Sequence, residues 1–175
     1  MNEFKEFPKI PRLFRDCIIT EKIDGTNASI FIGEDGEFLT GSRTRWITPE
    51  SDNFGFAMWA QKNKAELLKL GPGHHFGEWW GVGIQRGYSL SERRFSLFHT
   101  HGIVELPACV RVVPILYEGP FHMPSIQNAL ATLACLGSKA EPGYLAPEGI
   151  VVYHQAARQM FKVTIENDEK PKGAK

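Results

Sequence analysis

The sequence predicts an α+β fold made mainly of antiparallel sheet with a few packed helices. Short apolar segments rich in β-branched and aromatic residues recur between turn signals, and only two stretches carry helical spacing. Strands therefore outnumber helices and do not alternate with them, which disfavours a doubly wound parallel sheet. With 175 residues, 42% of them hydrophobic and 23% charged, the chain is long enough to bury a core without disulfides or a structural metal. One domain over 1–175 is expected. Residues 167–175 read as a frayed tail, and the short stretch after Ile165 cannot form an accessory C-terminal domain.

The elements follow in order. Residues 17–21 form a first strand and 28–32 a second, which turns at Gly33-Glu34-Asp35-Gly36 into a third at 37–40, an antiparallel hairpin. A helix is expected over 54–70, with Phe54, Ala57, Met58, Ala65 and Leu68 near one face, Ser51 and Asp52 as caps and Gly71-Pro72-Gly73 as terminator. Strands at 75–80, 95–100 and 110–117 follow, the last carrying Pro114, which suggests an edge or a bulge. Ile126, Leu130, Leu133 and Leu136 mark a core-packing helix over 125–136 that ends at Gly137. Strands at 149–153 and 159–165 complete the list.

Composition narrows the function. Twenty Lys plus Arg against twenty Asp plus Glu leave a net charge of zero, so any anion site is local rather than part of a global basic field. Cys17, Cys109 and Cys135 are odd in number, widely spaced and free of a C-x-x-C pair, which argues against disulfides and a zinc ribbon and for buried thiols. Met1 to Phe7 has two glutamates and no apolar block behind it, and no apolar run approaches the roughly 18 residues of a membrane span. The expected compartment is reducing and cytoplasmic, with no membrane partner.

Chemistry concentrates at Glu21-Lys22-Ile23-Asp24-Gly25-Thr26-Asn27, where a lysine ends an apolar strand and a polar turn follows. A lysine titrates near 10.4, so only about one molecule in a thousand carries the nucleophilic amine near neutrality unless a second cation or desolvation intervenes. Lys162 is the candidate neighbour. Asp24 and Asn27, beside glycine, read equally as turn formers.

This stretch resembles motif I of the covalent nucleotidyltransferases, and its G-T-N ending is similar to the ATP-dependent RNA ligases. Five companions occur in the family's order: Ser42-Arg43 resembles motif Ia, Phe76-Gly77-Glu78-Trp79 motif III, residues 95–98 motif IIIa, Glu148-Gly149-Ile150-Val151-Val152 motif IV, and Phe161-Lys162-Val163-Thr164 motif V. The likeness spans Glu21 to Thr164. It implies the nucleotidyltransferase fold and adenylation of Lys22 by ATP, with Lys162, Glu148 and Arg43 as further catalytic residues. It also implies a nucleotide site of Glu21, Lys22, Asn27, Arg43, Glu78, Phe98, Glu148 and Lys162.

Physical uses stand beside those implied roles. Arg43 offers a planar fork to a phosphate or to Glu21, or forms a surface ion pair. Glu78, among aromatics on a strand, needs a polar partner, and the resemblance gives it the ribose hydroxyls. Phe98 has a flat face for a purine or serves as core filler. Glu148, at a strand entrance, suits Mg²⁺ (or Mn²⁺). Lys162 alternates with Phe161 and Val163, which sends it to the opposite face, and the resemblance directs that face to the α-phosphate.

Four features depart from the RNA ligase pattern. Asp24 stands where the RNA ligases often have histidine, Thr164 where many relatives have a second lysine, His99 where aspartate is frequent, and little chain follows motif V. The implied activity is ATP-dependent joining of 5′-phosphate and 3′-hydroxyl RNA ends, nicked duplex among them, with a partner chain as a source of missing strand-holding surface. Alternatives are polynucleotide adenylation, transfer to DNA or from GTP, or a non-catalytic nucleotide- or RNA-binding module. Gly81 to Gly87 lacks the spacing and following helix of a dinucleotide loop and reads as a flexible loop, with Arg86, Arg93 and Arg94 as a short basic surface. His74-His75 and His99-x-His101 complete no zinc set.

Overall fold

In β1 (Asp16–Lys22) the fully buried Cys17 and Ile19 alternate with Ile18 and Thr20, so one face meets a core and the other a cleft. The same two-residue period organises the rest of the computed structural model, which describes residues 3–169. After β1 come β2 (Thr26–Ile32), β3 (Phe38–Gly41), β4 (Trp46–Ile47), α1 (Phe56–Lys62), α2 (Lys64–Leu67), β5 (Gly73–Gly81) and β6 (Arg93–Leu97). Then follow β7 (Val110–Val112), β8 (Ile115–Pro120), α3 (Met123–Leu136), β9 (Gly149–His154) and β10 (Gln159–Thr164). They form a four-stranded sheet in the order β10-β9-β1-β8 and a six-stranded sheet in the order β4-β3-β2-β5-β6-β7. Every pairing is antiparallel except β6 with β7.

Each sheet has its own core. Ile30, Phe56, Leu67, Trp79, Phe95 and Leu97 pack between the larger sheet and the first helices. Cys17, Ile19, Leu133, Ile150 and Val152 pack between the smaller sheet and α3. The chain passes between sheets at 23–25 and returns at Val113-Pro114, and Ile23, Trp80, Tyr88 and Val113 form a third cluster there.

Four expectations are corrected. The helix expected over 54–70 breaks at Asn63, which leaves helical geometry at φ −103°, ψ 12° and caps the turn, its side-chain amide donating at 2.8 Å to the same Trp59 carbonyl that its backbone N–H reaches. It continues as α2 and a 3₁₀ turn at Leu68–Leu70. The strand expected over 110–117 is two strands in different sheets. Pro114 marks the switch, and a register shift in the β1–β8 ladder follows between Ile19 and Thr20. The glycine-rich 81–87 stretch is a pair of packed turns with Ile84 fully buried. Of the cysteines, only Cys17 is buried, and Cys135 is exposed.

The caps were partly legible. Asp52 accepts the amides of Ala57 at 2.8 Å and Met58 at 3.0 Å, whereas Ser51 accepts from Arg45 instead. Gly137 ends α3 at φ 84°, its N–H donating to Leu133 O at 2.9 Å. The expected tail overlaps residues 170–175, which lie outside the described residues, while Asp168 accepts the amide of Thr164 at 2.8 Å. Among the described residues no helix is long and apolar enough to cross a membrane.

Candidate active site

Lys22 is the last residue of β1 and lies opposite Gly149, the first of β9. Glu148 therefore stands one residue before the strand that faces the lysine. Nζ of Lys22 donates to Oε2 of Glu148 at 2.5 Å, across 126 residues of sequence. Their side chains are 22% and 8% exposed, so the amine opens to the cleft while its carboxylate partner is covered. The pair joins residues that the sequence placed in separate motifs.

Glu78, on β5, is paired with Asn27 of β2 in the larger sheet. Its carboxylate accepts the Gly25 amide at 3.1 Å and the Asn27 side-chain amide at 3.2 Å. Burial pushes its titration up to about 7, opposed by the charge of Lys22 and the Gly25 amide and reinforced by Glu148 and Asp24. Glu78, Lys22 and Glu148 thus share one electrostatic environment, although they come from both sheets. Gly25 is what lets the crossing segment lie so close to β5, since a Cβ there would sit 2.5 Å from the Trp79 carbonyl oxygen.

Asp24 is more than a turn former. It accepts from Arg86 Nε at 3.1 Å, and its amide donates to the Tyr88 hydroxyl at 2.9 Å. Burial pushes the Tyr88 hydroxyl well above its ordinary range, so it stays protonated. Arg86 also donates to Ala146 O at 2.9 Å, two residues before Glu148. The motif I turn and the approach to β9 are therefore tied by one guanidinium.

Glu21 faces away from Lys22, as the strand alternation requires. Its carboxylate accepts from the Ser138 hydroxyl at 2.5 Å and from the amides of Lys139 at 2.7 Å and Ala140 at 2.8 Å. The alternative that Arg43 pairs with Glu21 is thereby corrected, because the carboxylate is fully engaged behind the sheet. Arg43 lies exposed at the tip of the β3–β4 hairpin. Lys162 is on β10 opposite Val151, itself opposite Thr20, which puts it on the Lys22 face of the smaller sheet. It is exposed. The charged partner of Lys22 is a carboxylate rather than this second cation.

Phe98 extends the β5–β6 ladder by one bond, its amide donating to Phe76 O at 3.0 Å. Alternation from Ser96, which lies opposite Glu78, places Phe98 on the Glu78 face at 38% exposure. Thr164 lies in the same cross-strand row as Gly149 and Lys22. The expected basic surface is corrected: Arg86 pairs with Asp24, Arg94 with Glu92 and Glu141, and Arg93 donates to the carbonyls of Phe54 and Val82. Sequence reasoning missed Tyr88 and the 138–140 turn, and no local pattern marks either.

Glu148, bonded to Lys22, and Glu78, which feels its charge, offer hard oxygen donors, and among the described residues no group of three or more His, Cys, Asp or Glu could hold an ion by itself. Such a donor set fits a divalent cation that keeps most of its shell as water and phosphate oxygens.

Comparison with known proteins adds the family. A model of the RNA ligase family matches residues 15–164. Among solved structures, a Glu-to-Ala mutant of Naegleria gruberi RNA ligase with ATP and Mn superposes at a TM-score of 0.61 with 18% identity, covering 88% of this chain and 51% of that one. An Arg-to-Ala mutant of the same enzyme with ATP and Mn gives 0.58 at 17% identity, with 88% and 51% covered. A Lys-to-Met mutant with AMP and Mn gives 0.55 at 17%, with 87% and 50% covered. This chain thus spans about half the length of those ligases, and the likeness shows a shared nucleotidyltransferase-type α+β fold. No curated protein matches significantly.

Proposed function

The chain belongs to the RNA ligase family, and on that premise we propose that it is an ATP-dependent RNA ligase, a single nucleotidyltransferase domain working through a lysyl adenylate. The observation that carries the reading is the Lys22–Glu148 pair at the mouth of the cleft, with Glu78 buried beside it.

In the proposed first step the Nζ lone pair of Lys22 forms a bond to the α-phosphorus of ATP. The bond from that phosphorus to the bridging oxygen breaks, and pyrophosphate leaves with its electron pair. Lys22 releases one proton to solvent to free that lone pair and a second as the P–N bond forms, while Glu148 holds Nζ in place. A divalent cation on Glu148 would supply charge neutralisation for the phosphates and would compete with Lys22 for the carboxylate, favouring the free amine. Glu78 and Asn27 face the nucleoside, Phe98 offers a ring to the purine, and the exposed Lys162 and Arg43 are the cations for phosphate oxygens. A 5′-phosphate oxygen of an RNA end then attacks the adenylate phosphorus and expels Lys22. The 3′-hydroxyl of a second end displaces AMP and seals the strand. Positioning and charge neutralisation account for most of the catalysis in such a site.

Incubation with α-labelled ATP and Mg²⁺ or Mn²⁺, followed by a denaturing gel, tests the first step. The expected result is a labelled band on wild type that Lys22→Ala abolishes. No label with either metal would leave the non-catalytic binding module in its place.

A further inference from the structure

Beside Phe98, the cleft face of the larger sheet carries further rings that adenylyl transfer does not use. Register places residues of four strands in one row, Trp46 opposite Gly41, Gly41 opposite Ser29 and Ser29 opposite Phe76, and the carbonyl of Phe76 accepts from the amide of Phe98, just past the end of β6. The next row sets Phe31 opposite His74. These rings touch. Trp46 stacks on His74 with centroids 5.6 Å apart and planes 25° apart, and His74 stacks on Phe76 at 4.0 Å and 30°. Phe31 supports them, edge-on to His74 at 6.0 Å and tilted by 59° against Trp46 at 6.3 Å. The edge of the indole sits over Gly41, where any Cβ would lie 3.3 Å from it.

The strip is open rather than core. Trp46 is 50% exposed and Phe76 47%, and His74 is exposed as well. Soluble surfaces rarely line up large rings unless something covers them. Partial desolvation between the flanking rings and the neighbouring His75 lower the titration of His74, the direction that favours the uncharged ring. Three things favour nucleobases as the cover. The exposed members are all flat rings. The row lies one pleat along β5 from Glu78 and Asn27, so a strand entering the cleft crosses it. The hairpin tip beside Trp46 presents Arg43 and Arg45, both exposed, to a phosphate backbone.

We propose that Trp46, His74 and Phe76 form a stacking platform for unpaired bases of the RNA strand whose end is brought to Lys22. The proposal deepens the ligase reading and rests on it for the identity of the strand. It makes the enzyme prefer single-stranded flanks, because bases inside a continuous duplex have no free face to offer.

The test measures binding without ATP. Wild-type protein is titrated with a labelled, 5′-phosphorylated single-stranded RNA and with the same strand in a blunt duplex, read by anisotropy. The single strand is expected to bind more tightly. Trp46→Ala weakens it by about tenfold, the scale of losing one aromatic stack, with the duplex changed less than twofold. Trp46→Phe restores most of the loss, a readout that general disruption of the hairpin would not give. Should Trp46→Ala fail to fold, His74→Ala supplies the same comparison. Unchanged single-strand affinity, equal losses on both RNAs, or variants that alter only self-association would overturn the platform. Because binding is read without ATP, a selective loss in a protein that forms no lysyl adenylate upholds the platform and rejects the ligase reading, and label formation without strand preference does the reverse.

Discussion

Replacing Glu78 with glutamine is expected to stabilise the nucleotide-free protein, and by an amount that depends on pH. Burial lifts the carboxyl from 4.5 to about 7, so the folded state favours the protonated form. A group raised in this way contributes stability that is complete below about pH 4.5 and is lost as pH climbs through about 7. Glutamine keeps the shape and an acceptor for the Gly25 amide while removing the charge. Roughly 2.5 pH units at about 1.4 kcal/mol each set the ceiling near 3.5 kcal/mol. The assay is urea unfolding of both proteins from pH 5 to 8.5 without nucleotide. The difference in unfolding free energy should grow in favour of Glu78→Gln across pH 5 to 7 and level off near 8. Parallel curves, or a wild type that gains on the variant as pH rises, would refute the claim that desolvation outweighs the nearby Lys22 charge.

Three other substitutions probe the scaffold. Glu21→Ala strands the Ser138 hydroxyl and two backbone amides behind the sheet. Stability should fall by about 3 kcal/mol or more in urea, and Glu21→Gln should recover part of it. Gly25→Ala drives a methyl against the Trp79 carbonyl, so the motif I turn must lift from β5. The expected outcome is a lower melting temperature together with a loss of lysyl-adenylate label. Arg86→Ala removes the guanidinium that ties Asp24 to Ala146. With Arg86 about one third exposed, solvent screening limits the cost to about 1–2 kcal/mol, seen as a shifted urea midpoint with an unchanged slope.

Period-two alternation was enough to find β1, the β2–β3 hairpin, β5, β9 and β10, and to put Lys162 on the face away from Phe161 and Val163. Alternation says which face a residue takes but not which sheet its strand joins. That is why 110–117 read as one strand although Pro114 sits where the chain changes sheets. The break at Asn63 escaped for a different reason: its backbone leaves helical geometry at φ −103°, ψ 12° while its side-chain amide shares Trp59 O with its own N–H, and periodicity does not report a single residue's backbone. The two-residue β4 is too short to show any period. In the site, Lys22 and Glu148 were each legible as chemistry, yet their contact spans 126 positions and belongs to the β1–β9 register. Glu21 illustrates the converse. Its place beside the lysine suggested a cleft partner such as Arg43, whereas pleating turns it to Ser138.

The molecule keeps two separate oily interiors and stitches them with a small aromatic knot of Ile23, Trp80, Tyr88 and Val113. The two halves can therefore shift against each other at that knot and at the Arg86 and Arg94 ties beside it while each interior stays sealed. Amide protons near 23–25 and 86–90 should then exchange sooner than those of β5 or β9, and seating a nucleotide should slow them first.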